Sequence, residues 1–288
     1  MRSVKIALVL TIAAIPVSAA SSPEPVAVAG VHNAFRLSPR LISGSAPEGA
    51  DAFGALAKLG IKTIVSVDGI KPEVEEAARH GIRYIHLPIG YNGISESRAA
   101  ELAKAVESAE GSVFLHCHHG RHRAPAAAAA VCRALDGWTP DDATAFLKTA
   151  GTSPDFAGLY RDARGVRVPT EKERAAMPTR FPSTSTTPPM VERMVAIDER
   201  FDTLQTLRAA GWKNATPEIA VLLLEDFREL QRMLPAKATV DFRRHLAGSE
   251  AGAALLAKQI GLHDFPAATA SMGKISESCT LCHKAHRN

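Results

Sequence analysis

The 288-residue sequence predicts two regions of different class, an α/β sheet with flanking helices followed by an all-α four-helix bundle. Three observations carry that expectation. Short β-branched or apolar runs alternate with helical patterns from about residue 35 to 164, a proline-rich stretch interrupts the chain at 166–189, and beyond it apolar residues recur only at spacings of three and four. Strands separated by helices of roughly 10 to 15 residues imply a sheet covered by helices. A spacing of three and four places apolar side chains on one helical face.

The first twenty residues, MRSVKIALVLTIAAIPVSAA, have the order of a secretory signal peptide: basic Arg2 and Lys5, an apolar run from Ile6 to Val17, then small Ser18, Ala19 and Ala20. The apolar run is shorter than the ~20 residues of a membrane span. The chain is therefore expected to be exported to the periplasm, with no stable membrane insertion after cleavage. Residues 21 to 34, rich in Ser, Pro and Ala, are expected to be extended.

In the first region the pattern predicts strands over Arg40–Ser43, Thr63–Val67, Tyr84–Leu87 and Val113–His116, and helices over Asp51–Leu59, Val74–His80, Ser97–Ser108 and Ala124–Leu135. GIKTIVSV sets a glycine turn before a β-branched run, as a buried central strand begins. The five prolines of 166–189 argue against any helix or strand there and mark a flexible linker. After it, Met190, Met194, Ile197, Phe201, Leu204 and Leu207 line one helix. A second runs from Pro217 to Pro235, a third from about Val240 to Ile260 and a fourth from about Phe265 to His286, and short connections favour an antiparallel bundle. The boundaries expected are a signal peptide at 1–20, a first domain at 30–165, the linker, and a helical domain at 190–288.

Composition excludes some classes outright. With 46% hydrophobic and 22% charged residues the chain has material for a core and no signature of wholesale disorder. A net charge of +4, two units of it from Arg2 and Lys5, is too weak and dispersed for nucleic-acid binding. Four cysteines in an exported chain would suggest disulfides, but their contexts differ. Cys279 and Cys282 stand in CTLCH, Cys117 falls between an expected strand and helix, and Cys132 lies in an Ala-rich helix and reads as core.

Cys279-Thr280-Leu281-Cys282-His283 is the c-type haem attachment pattern: two thiols three positions apart reach one haem, and His283 supplies the iron ligand. No second cysteine pair completes a four-cysteine zinc shell. The motif ends the fourth helix and Arg287 follows His283 by four, so residues 188 to 288 resemble the cytochrome c′ family, with Phe242-Arg-Arg-His-Leu246 opening the third helix. That resemblance implies one covalent haem c, His283 as axial ligand, and a distal side filled from the first helix by Ile197, with Met194 near it. It also implies a possible homodimer and, if the haem transfers electrons, a redox partner.

Val113-Phe-Leu-His-Cys-His-His-Gly-Arg-His-Arg123 contains HC-x5-R. A strand delivering Cys117 to a loop of inward N–H groups, followed by a helix start, forms an anion site that favours a nucleophilic thiolate. Arg123 grips two oxygens with its planar fork, and Gly120 permits the tight turn. The motif resembles the cysteine-dependent protein tyrosine and dual-specificity phosphatases over about residues 30 to 165. The resemblance implies that Cys117 forms a phosphocysteine, that Arg123 binds the transferring group, that His116 orients the loop, and that His118, His119, Gly120, Arg121 and His122 complete the phosphate-binding loop. The substrate is then a phosphorylated molecule of unknown class. Rhodanese-like sulfur transfer uses a similar loop and is a competing chemistry, as is a loop that only binds phosphate or a phosphorylated partner beside a haem sensor or electron carrier.

The pattern departs from the family in three places. A general acid is normally an upstream aspartate, yet none occurs between Asp68 and Asp136; Asn92 stands in the expected loop, leaving Asp68 first and Glu96 second as substitutes. Ala124 replaces the hydroxyl residue that often follows the arginine. Three histidines beside Cys117, at 118, 119 and 122, enrich the loop in imidazole able to tune the thiolate or ligate metal. Joining both domains in one chain suggests that haem redox or gas-ligand state governs Cys117.

Overall fold

The computed structural model describes residues 22–286. The expected signal peptide at 1–20 and Arg287 lie outside the described residues. Among the described residues six strands form one mixed sheet: β1 (Glu24–Pro25), β2 (Phe35–Ser38), β3 (Leu41–Ser45), β4 (Ile61–Ser66), β5 (Arg83–His86) and β6 (Ser112–Cys117), in the order β1-β2-β3-β6-β4-β5. The last four of that order run parallel, and β1 and β2 are antiparallel additions at one edge. Strands buried on both faces read as continuous apolar runs, and in β4 only Lys62 is exposed.

Helices α1 (Ala50–Lys58) and α2 (Val74–Arg79) cover one face, where Phe53, Leu56, Ile64 and Phe114 share a core. Helices α3 (Glu96–Glu107), α4 (Arg123–Leu135), α5 (Pro140–Thr149) and α6 (Ala157–Gly165) cover the other, where Leu102, Leu115 and Phe146 meet the alanines of α4. Ala126 to Ala130 are at most 3% exposed, and their small side chains let α4 lie close to β6, so its N-terminus meets the end of that strand. Cys132 is fully buried, as expected of a core residue.

The stretch 166–189 is not a bare tether. A short helix, α7 (Glu171–Ala175), forms where Thr170 and Glu173 make a reciprocal capping box, which corrects the expectation that five prolines forbid any helix there. Arg174, 9% exposed, donates to Glu107 of α3 at 2.9 Å and to Pro169 O at 2.7 Å. Farther on, His86 N donates to Pro182 O at 2.8 Å, and Ser185 N and Oγ donate to His86 Nδ1 and O at 3.0 and 2.5 Å. The segment thus covers the free edge of β5.

The C-terminal region is helical: α8 (Pro189–Ala209), α9 (Glu218–Arg232), α10 (Val240–Gly261) and α11 (Phe265–His286), each packed on the next. Leu204, Leu223, Phe227, Leu256 and Met272 form its core. Asp226, 3% exposed, is neutralised by Arg193 at 2.7 Å and Arg200 at 3.0 Å, both on α8. Among the described residues no helix is long and apolar enough to cross a membrane.

Candidate active site

Strand β6 ends on Cys117, opposite Ser45 of β3, while its His116 pairs in register with Ser66 of β4. The thiol therefore stands at the carboxyl edge of the parallel strands, where α/β sheets bind ligands. His116, 2% exposed, has Nε2 2.7 Å from Tyr84 Oη and its ring stacked on Phe114. Burial pushes its imidazole down to about 4, so it is neutral near pH 7 and acts as a fixed prop beneath the loop.

Residues 117–123 turn from β6 into α4. Gly120 has φ +67°, and a Cβ there would lie 2.5 Å from the backbone of Gly44 and Ser45. Only glycine meets both demands. The loop is braced from outside: Asn33 Nδ2 donates to Gly120 O and to Ala150 O, both at 2.9 Å, Ala46 N donates to His118 O at 3.0 Å, and Thr152 Oγ1 donates to Arg121 O at 2.6 Å. Asn33 and Thr152 are positioning residues with no sequence motif of their own. The Arg121 side chain is exposed, so only its backbone belongs to the loop. His122, the residue before α4, accepts from Ser153 N at 3.3 Å and packs its ring on Phe156.

Arg123 opens α4 with its guanidinium 4.7 Å above the Tyr91 ring and Nη2 3.0 Å from Asp68 Oδ1. Asp68 is fully buried and also accepts from Gly69 N at 2.6 Å. Burial alone would raise its carboxyl, but Arg123, with His116 and His118 behind it, holds it below the usual carboxylate range. A carboxylate in that state accepts a proton and has none to deliver. The 3.0 Å contact makes Asp68 a group that aims Arg123. Glu96 is exposed and pairs with Arg167 at 3.4 Å, and Asn92 O accepts from Arg161 at 3.1 Å. Among the described residues Arg123 Nε and Asp68 Oδ2 are buried without hydrogen-bond partners, so the site retains donor and acceptor capacity.

One cavity of about 840 Å³ connects this loop to the helical region. Tyr91, His118 and Arg123 line one end, and Cys279, Cys282 and His283 line the other. Val191 of α8 sits over Gly69 beside Arg123, while Ile197, Met194 and Phe201 line the apolar middle. Cofactor sites span ~300–1,000 Å³ and are mainly apolar with a few convergent polar groups. The two free thiols, the imidazole and the apolar wall opposite them fit a haem. Burial pushes both Cys279 and Cys282 up to about 11. Ile197 and Met194 line the same cavity as His283.

No family model matches the chain. Over 123 residues it is 27% identical to the dual specificity protein phosphatase TpbA of Pseudomonas aeruginosa, in strains UCBPP-PA14 and PAO1, a match covering 41% of this chain and 55% of that protein. The chain thus spans about half the length of the curated relatives it matches. The crystal structure of P. aeruginosa TpbA is 24% identical and covers 54% of this chain and 96% of its own, with a TM-score of 0.46. That of the core catalytic domain of the PP-IP phosphatase SIW14 from S. cerevisiae, in complex with citrate, is 16% identical and covers 49% and 89%, with a TM-score of 0.44.

Proposed function

We infer that the chain is an exported, periplasmic cysteine-dependent phosphatase of the dual-specificity type, joined to a cytochrome c′-like domain that carries one covalent haem for redox or gas sensing. The observation that carries the reading is Cys117 at the end of β6, before the start of α4 and Arg123, in a loop whose His118 and Arg123 line a cavity shared with Cys279, Cys282 and His283. The named relatives are dual specificity protein phosphatases, which supports the first half.

In the reaction, Cys117 Sγ attacks phosphorus as the bond to the leaving oxygen breaks, and that oxygen takes a proton from water. A second water then attacks phosphorus, the S–P bond breaks, inorganic phosphate leaves and the thiolate returns. The loop N–H groups, the α4 N-terminus and Arg123 stabilise the charge spread over the phosphoryl oxygens. Asp68 keeps Arg123 in place and His116 keeps the strand end in place. Cys279 and Cys282 would anchor the haem by thioethers and His283 would offer its nitrogen to iron; when bound, haem supplies a one-electron redox centre able to take a diatomic gas.

A second reading is favoured by two observations: Arg123 is already paired with Asp68, and Val191 lies across Gly69 beside it. In that reading the loop captures phosphate or a phosphorylated partner for a haem sensor without turnover. Hydrolysis of p-nitrophenyl phosphate by the haem-loaded chain, beside Cys117→Ser, separates the two. Turnover lost in the variant establishes the phosphatase. Vanadate binding with no turnover in either protein establishes the recognition module.

A further inference from the structure

The loop meets α8 through a set of side chains that the hydrolytic reaction does not use. One ligand atom each from His118, His119 and Asp202 lie within 4.8 Å of one another. His119 Nε2 is 3.2 Å from Asp198 Oδ2 and 3.6 Å from Asp202 Oδ2. Donors bound tetrahedrally to one zinc ion at ~2.0–2.1 Å stand about 3.3 Å apart, so these two separations already approximate neighbouring vertices. Asp198 and Asp202 are four residues apart on α8 and face the same loop, and two imidazoles from consecutive residues face them with ring centroids 4.3 Å apart.

Two neighbouring carboxylates repel unless a cation stands between them. His119, with one ring nitrogen near both, supplies at most one positive charge and only when protonated. Two imidazoles and one or two carboxylates form a donor set suited to zinc and its late first-row neighbours, and poorly suited to calcium or magnesium, which prefer oxygen alone.

We propose that His118, His119 and Asp202 bind a divalent transition metal, zinc foremost, that clamps the loop following Cys117 to α8, with Asp198 beside His119. The site is distinct from the haem pocket and does not depend on the phosphatase reading, because its ligands are tested by binding alone. It would tie the N-terminal sheet region to the helical region through one ion, one residue away from the nucleophile.

The test is calorimetric titration of the haem-loaded full chain with zinc chloride, in which attached haem occupies Cys279 and Cys282, followed by zinc X-ray absorption. One zinc per chain is expected, ligated by nitrogen and oxygen only. Affinity should fall roughly tenfold or more in Asp202→Asn and in His119→Gln, the scale on which altering a metal site weakens it. It should stay unchanged in Asp241→Asn, which alters the separate Asp241, His245 and His286 group at the C-terminal end. A single cooperative thermal transition without zinc shows that each variant is folded. Equal zinc affinity in wild type and Asp202→Asn, loss only in Asp241→Asn, or sulfur in the zinc shell would each overturn the proposal.

Discussion

Arg123 Nη2 lies 3.0 Å from Asp68 Oδ1, with the two side chains 6% and 0% exposed. Removing one partner of a buried pair strands the other charge, at a cost of ~3–5 kcal/mol. Asp68→Ala should therefore lower unfolding stability by that amount, and Asp68→Ala combined with Arg123→Met should recover part of it. Chemical denaturation of wild type and the two variants measures both. Equal stability of Asp68→Ala and wild type would mean that solvent reaches the guanidinium.

The same contact fixes how the reaction depends on its leaving group. In the proposed hydrolysis Asp68, paired with Arg123, gives the departing oxygen no general acid assistance, an effect worth ~10²–10⁴-fold, and water supplies the proton instead. Phosphate esters of acidic phenols need no such help. The ratio of kcat/KM for p-nitrophenyl phosphate over a simple alkyl phosphate should exceed that range, and kcat/KM should fall steadily along a series of phenols of rising pKa. A flat series would point to a general acid, and Asp68→Asn would then tell whether Asp68 supplies it.

Docking of the loop on α8 should depend on pH. The hydrogen bond from His119 to Asp198, with the nearby Asp202, raises the His119 imidazole against the opposing effect of burial. A folded value above the unfolded ~6.5 means the contribution is complete below that pH and is lost as pH rises through the folded value. Because both side chains are more than a third exposed, solvent holds the gain to ~1 kcal/mol or less. In zinc-free buffer, Asp198→Asn should melt below wild type at about pH 5.5 and together with it at about pH 9.

Much of the sheet region was legible because its elements announce themselves locally. The runs around Ile64 and Phe114 and the helix ending at Leu135 fall within a residue or two of their expected places. Strand β2 escaped because it is four residues long and gains its identity only by pairing with β3. Helix α5 carried a readable start, Thr139-Pro140-Asp141-Asp142, which forms a capping box. Cys117, Gly120 and Arg123 were visible as a spaced motif, whereas Asn33, Thr152 and Tyr91 reach the loop across long stretches of sequence. The contact of Asp68 with Arg123 was hidden for a related reason. Its position near a strand end is readable, but its state depends on Arg123, 55 residues later in the chain, and no local pattern encodes that meeting. The metal-ligand potential of the loop histidines was visible in sequence, but their carboxylate partners on α8 were not.

The two thiols of the CTLCH segment offer a direct check on their surroundings before haem enters. Burial pushes Cys279 and Cys282 up to about 11, so at pH 8 only about one in a thousand of each is thiolate, against roughly a quarter of an ordinary cysteine near 8.5. Alkylation proceeds through the thiolate. Haem-free protein treated with iodoacetamide at about pH 8 should therefore modify Cys279 and Cys282 roughly a hundredfold more slowly than an unfolded peptide of the same sequence. The rate should climb about tenfold per pH unit up to about pH 11. Peptide mass spectrometry resolves the sites, and Cys132, buried in α4 with its thiol also raised by burial, serves as the slow reference. Fast labelling of Cys279 at pH 8 would mean that α11 is open to solvent at its thiols, and the cavity would then not be the enclosed apolar space that a covalently bound haem requires.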